Sequence, residues 1–320
     1  MRRFWIGLSC FLIYAVLGYW VFYIAAIPDA PPATVQFVSA TLVFGLGLGF
    51  AAQLAFDWNF TRPLRRVLVN SYIAIAIFAL VLILLKFETL ICVVVIAPVA
   101  MMLILAGAWL MRRCMSLFVS PPKLSLSILV LPLVFGFTGV LPPSRTQTFT
   151  VATSLVIEAD SQRLFTLVQT VPAIQPQERR WTITHNLLQA PGPISAMTRD
   201  GIRTAYWTEG VSFQEILQPS PEQDRLSWRF HFPDLAAMQA LDYRIAPTGP
   251  DVIMQTGGYR FAPLQDGATK VTLTTTYQLN TPINLYLALW GQLFLDDFHL
   301  AVLHVIKQRA ETPSQPAAAG

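Results

Sequence analysis

Two carboxylates and one arginine are the residues of this chain whose placement invites chemistry. Glu215 lies on a segment, 211–218, that follows another, 202–208, across a turn at Thr208-Glu209-Gly210. A three-residue turn with Gly210 in the left-handed region sets Trp207 opposite Val211, Ala205 opposite Phe213 and Arg203 opposite Glu215. A two-residue turn would set Thr204 opposite Glu215 and dissolve the pair. Turned inward, Arg203 and Glu215 form a charge pair in an apolar site, where removing one partner costs on the order of 3 to 5 kcal/mol. At the rim, the same pair is a salt bridge holding the hairpin, worth at most about 1 kcal/mol. Asp297 is the second carboxylate, at the edge of the apolar stripe of a long C-terminal helix. Half-buried there it is a weak candidate for a general acid or base; on the wet side it is only the solvated boundary.

Stronger catalytic signatures are absent from the sequence. There is no HExxH, no paired-cysteine motif, no GxSxG and no P-loop, so metal hydrolysis, nucleophile-elbow acyl transfer and nucleotide hydrolysis lack their supports. His299 and His304 are five apart, about 140° around a helix, so one helix cannot aim both at a metal, and they read as surface residues. No metal site and no cofactor are expected. The glycine-rich stretch at 45–49, GLGLG, has no strand before it and no lysine after it, and reads as a surface for close helix packing.

The elements that must position these residues divide the chain in two. Of its 320 residues 54% are hydrophobic and only 12% charged, against roughly 25% for a soluble domain. Residues 1–145 carry ten Lys or Arg against three acids, and residues 146–320 carry twelve against fifteen, so the basic excess belongs to the apolar part and does not mark a nucleic-acid surface. Five apolar runs, 4–27, 34–56, 67–85, 90–111 and 124–141, approach the roughly 20 helical residues that cross a hydrocarbon core. Arg2, Arg3, Arg62, Arg65, Arg66, Arg112, Arg113 and Lys123 fall on one side of these runs and Lys86 on the other. The positive-inside rule then places the N-terminus in the cytoplasm and everything after the fifth run outside an inner membrane, periplasmic or extracellular. No Asp, Glu, Lys, Arg or His lies within the runs, which argues against an ion-coupled transporter.

After a stiff linker at 142–144, the second part, 147–311, alternates strands and helices, and 312–320 is a Pro- and Ala-rich tail expected to be disordered. A strand is expected at 148–157 with Phe149, Val151, Thr153, Leu155 and Ile157 on one face, then a short helix to about Val171. Beyond the hairpin, Leu226, Trp228, Phe230 and Phe232 alternate with polar residues, and further strands are expected at 252–263 and 269–279. The last has Val271, Leu273, Thr275, Tyr277 and Leu279 on its buried face. Thr281 and Pro282 open a long helix whose stripe is Ile283, Leu287, Trp290, Phe294, Phe298, Ala301 and Val305. Leu285, Leu289, Leu293 and Leu295 point elsewhere, toward the bilayer, the membrane helices or another subunit.

This order, with Gly201-x-Arg203, Gly210-x-x-Phe213-x-Glu215, Arg225-Leu226-x-Trp228-x-Phe230 and Gly258-Tyr259-Arg260-Phe261, resembles the START and polyketide cyclase superfamily (SRPBCC), over about 148–311. The chain departs from it at Arg199-Asp200-Gly201, where related sequences often carry a second glycine. The resemblance implies an α+β helix-grip fold, a curved antiparallel sheet around the long helix, enclosing an apolar cavity for lipids, polyketides or other hydrophobic molecules. Trp207, Phe213, Trp228, Phe230, Tyr259, Phe261, Tyr277, Trp290, Phe294 and Phe298 fall on the expected inward faces, with Arg203 and Glu215 among them. From the residues alone these rings are either dry core or a ligand pocket. Three functions stay open: a membrane-anchored binder of a hydrophobic molecule, a cyclase- or hydratase-type enzyme using Glu215 or Asp297, and a non-catalytic accessory subunit of a membrane complex.

Overall fold

Apolar runs free of charge wind the first part of the chain into helices α1 (Arg2–Ala25), α2 (Ala33–Phe56), α3 (Leu64–Leu84) and α4 (Leu90–Ser116). The computed structural model describes residues 2–25, 33–116, 145–218, 220, 223–233, 252–281 and 283–312, and its chain separates into two units, Met1–Arg145 and Thr146–Gly320. Two helices, Leu64–Leu84 and Leu90–Ser116, are long and apolar enough to cross a membrane, where five spans were expected. The described side chains of the first two helices form shorter apolar stretches, Trp5–Tyr19 and Val43–Phe56. The fifth run, 124–141, lies outside the described residues, as do the linker at 142–144, Pro282 at the expected start of the last helix, and the tail from 313.

Glycines let these helices meet backbone to backbone. A Cβ on Gly49 would stand 2.4 Å from the Ile104 carbonyl oxygen, and one on Gly107 would stand 2.2 Å from that of Leu46. The 45–49 stretch therefore packs α2 on α4, as small residues do between apolar helices. Asp57, just past α2 and buried, organises one end of the unit. Its carboxylate accepts from the backbone N–H groups of Thr61 and Arg62 at 3.0 and 3.1 Å and from the Arg112 guanidinium at 2.9 Å. Arg112 also donates to the Arg62 carbonyl at 2.6 Å. The α2–α3 turn and the end of α4 thus share one side of the unit, the side on which charge counting groups Arg62 and Arg112.

The second unit is a seven-stranded sheet in the order β1-β7-β6-β5-β4-β3-β2. Its strands are β1 (Arg145–Ile157), β2 (Pro193–Arg199), β3 (Ile202–Trp207), β4 (Ser212–Gln218), β5 (Arg225–His231), β6 (Val252–Pro263) and β7 (Thr269–Thr281), with antiparallel pairing from β2 through to β7. Helix α5 (Ser161–Gln169), capped by Asp160 accepting from the Arg163 N–H, and the long α6 (Asn284–Glu311) complete it. The edge strand β2 was not anticipated; it is joined to β3 by Asp200-Gly201, both at positive φ (52° and 78°). Asp-Gly suits such a two-residue turn, so the departure from the family pattern is a tight hairpin. Leu164 and Val168 of α5 and Leu303 and Ile306 of α6 meet Leu226, Trp228, Tyr259, Phe261 and Val271 of the sheet in one core.

The face α6 buries is not the one the spacing suggested. Asn284, Leu295, His299, Leu303, Ile306 and Ala310 are buried, a stripe turned by about one residue, roughly 100°. Ala301 and Val305 remain inside, while Trp290, Phe294 and Phe298 are half-buried along its flank. Small or hydrogen-bonded groups face the sheet most closely: Gly291 lies against the Tyr277 hydroxyl, where a Cβ would come within 2.2 Å. Leu295, expected to point away, is buried beside Val151, Tyr277 and Leu279. The helix also starts later, at Asn284, whose Oδ1 accepts from the N–H and hydroxyl of Thr281 at 2.7 and 2.8 Å.

Replacing Gly107 with leucine drives a side chain into the Leu46 backbone, and overpacking of this kind costs about 1 to 3 kcal/mol or more. In a chain with Cys10 and Cys114 changed to serine, buried Cys92 should then react with a thiol dye at a lower temperature than in the same chain with Gly107 intact.

Candidate functional site

The β3–β4 hairpin has the three-residue turn, with Glu209 and Gly210 at φ 59° and 73°. Its register pairs Ala205 with Phe213 and Arg203 with Glu215. The charge pair is not at the rim: each residue is only 4% exposed. Arg203 Nε donates to Glu215 Oε2, and its Nη1 donates to the Val168 carbonyl at 2.6 Å, at the end of α5. The guanidinium also lies over the rings of Trp228 and Tyr259, 4.7 and 5.4 Å from their centroids. Burial works against its charge, but the facing Glu215 carboxylate and the Tyr259 oxygen outweigh that and hold its pKa above the ordinary arginine value. Burial likewise raises the Tyr259 pKa, with the Arg203 charge opposing. Glu215 Oε2 is thus committed to Arg203.

Asp297 is committed as well. Its Oδ2 accepts from the N–H and the hydroxyl of Thr184 at 2.9 and 2.8 Å, fixing a single π-helical turn, Ile183–Leu187, against α6. That turn presents His185, which stacks on Phe298 at 4.9 Å and meets Trp207 edge-on at 5.9 Å. Trp207 in turn touches Phe298 and Phe213 at 5.3 and 5.9 Å, and Phe213 touches Phe230 and Phe232 at 5.8 and 5.7 Å. All six rings are half-buried. Burial lowers the His185 pKa, opposed by backbone hydrogen bonds at Ala190 and Pro191 and by the Asp297 charge. Its Nδ1 lies 3.4 Å from the Ala190 carbonyl, and its buried Nε2 has no hydrogen-bond partner among the described residues.

A second polar group inside the unit was read from sequence as surface and is not. His299 is 3% exposed, with Nδ1 3.0 Å from the Thr153 hydroxyl and Nε2 2.8 Å from the Thr275 hydroxyl. The Thr153 hydroxyl also bonds the Asp296 carboxylate. Burial pushes the His299 pKa from its ordinary 6.5 down to about 4, with the Asp296 charge opposing. Elsewhere in the unit, Trp228 Nε1 and the Tyr277 hydroxyl are buried without a protein partner. His304, by contrast, is part-exposed, its Nε2 3.1 Å from Gln308 Nε2.

The residues expected around one cavity therefore fall into three sets. Trp228, Tyr259 and Phe261 belong with Arg203 and Glu215 to the closed core, and Tyr277, equally buried, packs against Phe149 at 5.9 Å. Trp207, Phe213, Phe230 and Phe298 gather around His185. Trp290 and Phe294 lie 5.7 Å apart further along α6, with Tyr286 6.4 Å from Trp290. On the sheet's opposite face, Arg225, Ser227, Thr256, Arg260, Thr274 and Thr276 line an open groove of about 570 Å³, more polar than a hydrophobic ligand requires. Among the described residues no three His, Cys, Asp or Glu side chains converge as metal ligands.

No protein-family model matches this sequence, and no curated protein matches it. Solved structures do resemble it in shape. Norcoclaurine synthase from Thalictrum flavum is 12% identical over 51% of this chain and 87% of its own, with a TM-score of 0.32. The di-domain ARO/CYC protein BexL is 14% identical over 60% of this chain and 59% of its own, with a TM-score of 0.34. An uncharacterised protein from Bacillus thuringiensis is 10% identical over 51% of this chain and all of its own, with a TM-score of 0.31. Independently of these scores, an antiparallel sheet closed by a long C-terminal helix fits the helix grip.

The buried polar groups can be tested through stability. Arg203→Met or Glu215→Gln alone strands a buried partner and should destabilise the unit by on the order of 3 to 5 kcal/mol, whereas the double change to apolar residues should cost less than either single one, as read by denaturant unfolding. For His299 the folded pKa lies below the unfolded 6.5, so between pH 6.5 and about 4 the unfolded chain takes up a proton that the folded chain refuses. Its contribution is present in full above pH 6.5 and drains away toward pH 4, by roughly 3 kcal/mol. His185 titrates in the same direction, so His299→Gln should flatten the fall in melting temperature over this window without abolishing it.

Proposed function

We propose that the helix-grip unit binds an apolar small molecule or lipid against the ring cluster of Trp207, Phe213 and Phe298, and that the first unit tethers it to a membrane. The observation that carries the reading is the half-burial of these rings around a histidine whose inner nitrogen has no protein partner. Covering one such ring contributes about 1.5 to 3 kcal/mol, and His185 Nε2 would meet a polar group on the same molecule. The tether rests on the outward face of the two long apolar helices: only 17% and 22% of their apolar windows are buried, where a core helix would be mostly buried. Ile73, Ile77, Leu80 and Leu84 are all more than half exposed. With the basic residues of 62–66 and 112–113 on the cytoplasmic side, a further crossing by 124–141 would put the helix-grip unit across the bilayer from them.

Extraction tests the binding reading. Full-length protein purified in mild detergent, precipitated and extracted with organic solvent should release one apolar species at near-stoichiometric amount, identified by mass spectrometry. Changing Trp207 and Phe213 to alanine should lower its occupancy roughly ten-fold or more, since each 1.4 kcal/mol is a factor of ten, with thermal stability little changed. Recovery of nothing beyond detergent from the unaltered protein would overturn the reading. Reporter fusions at the C-terminus that are active in the cytoplasm would overturn the placement across the bilayer.

A further inference from the structure

The N-terminal half of α6 carries a row of leucines turned away from the sheet. Leu285, Leu289 and Leu293 recur every fourth residue and are 74%, 71% and 40% exposed. The next residue along that row is Asp297, which holds Thr184, so the row ends at the Ile183–Leu187 turn. Ile183 and Leu187 are themselves exposed. The chain enters that turn from Glu178, which Arg309 clamps through Nε and Nη2 at 2.6 and 2.8 Å. Residues 178–184 are therefore pinned along α6 at both ends. Between the pins Arg179, Arg180 and Trp181 stand exposed, Trp181 with 64% of its surface.

We propose that this strip, the leucine row together with Arg179, Arg180 and Trp181, docks on a lipid bilayer with anionic headgroups. The composition matches that occupant in three ways. Leucines on one face of a helix enter the boundary between headgroups and acyl chains. An exposed tryptophan beside them takes the headgroup level, where its apolar body and polar N–H are both satisfied. Two adjacent guanidiniums meet lipid phosphates, and the nearest carboxylates, Glu178 and Asp297, are already neutralised by Arg309 and satisfied by Thr184. The same chain carries helices able to cross a bilayer, so such a surface is within reach without a diffusional search. The inference rests on the first unit being membrane-resident, and goes beyond it by assigning the surface through which the second unit meets lipid. His185 lies within the docked turn and stacks on Phe298.

The test uses full-length protein with Cys10, Cys92 and Cys114 changed to serine, Leu289→Cys carrying a nitrobenzoxadiazole label, and nanodiscs of mixed zwitterionic and anionic phospholipid. Docking predicts blue-shifted emission that spin-labelled lipids quench, while the same label at Lys270→Cys, on the sheet's outer face, stays water-like and unquenched. Arg179→Glu with Arg180→Glu should reduce the quenching at 289 several-fold in anionic discs and leave it unchanged in purely zwitterionic ones. Water-like emission at 289 would overturn the proposal. A blue shift without lipid quenching would overturn it equally, since the row would then be covered by protein. Alkaline carbonate extraction of the reconstituted protein separates the two levels: release from the membrane condemns the tether, and retention with an unquenched label condemns only the docking.

Discussion

A guanidinium taken out of water must be answered on every side, and in the second unit the answers come from four different elements. Arg203 of β3 receives a carboxylate from β4, a carbonyl from the end of α5, and the faces of an indole from β5 and a phenol from β6. Even after relaxation the desolvation of such an ion costs several kcal/mol, so none of these partners is dispensable. Their joint requirement fixes the register of four strands and the seat of the short helix at once. A slip of one residue in the hairpin would send Arg203 to the outer face and Ile202, its solvent-facing neighbour, inward. The pair thus ties the register of the sheet to the seat of the short helix.

Above this closed layer the interior changes character. The rings around His185 come from the hairpin, from α6 and from a turn that Asp297 holds in place, and none is fully covered. Asp297, one of the two carboxylates considered from sequence as a general base, anchors the turn that carries His185 through its Oδ2. The proposed binding of an apolar molecule draws on this contrast between tied charges and partly open rings.

Much of this was legible in the sequence, and the failures have physical causes. Strict alternation exposed β5 and β7, because each turns one face to the core. The Arg203–Glu215 register was one of two that the sequence left open, and the three-residue turn, with Glu209 and Gly210 both at positive φ, decides it. The helix face was misread because large rings dominate a spacing argument, while the sheet admits Gly291 and His299 more closely than Trp290 or Phe294. The clue to the histidine was present in Thr153 and Thr275, hydroxyls that interrupt two otherwise apolar inward stripes; a buried hydroxyl calls for a partner. The 183–187 turn and edge strand β2 carry no strong periodicity, and their places are set by Asp297 and by pairing with β3. In the first unit, apolar length alone identified helical runs but did not show how many of them span.

The first strand in sequence lies at one edge of the sheet beside the last. Hydroxyls of Thr150 and Thr276 meet at 3.0 Å across 126 residues of chain, and those of Ser154 and Thr272 meet at 2.8 Å. During synthesis β1 leaves the ribosome long before its neighbour exists, so its inner stripe of Phe149, Val151 and Leu155 has nothing to pack on until β7 and α6 have been made. Contacts so distant in sequence form slowly. The half-built state, an unpaired strand with a greasy side, is the stage at which a chaperone would be needed.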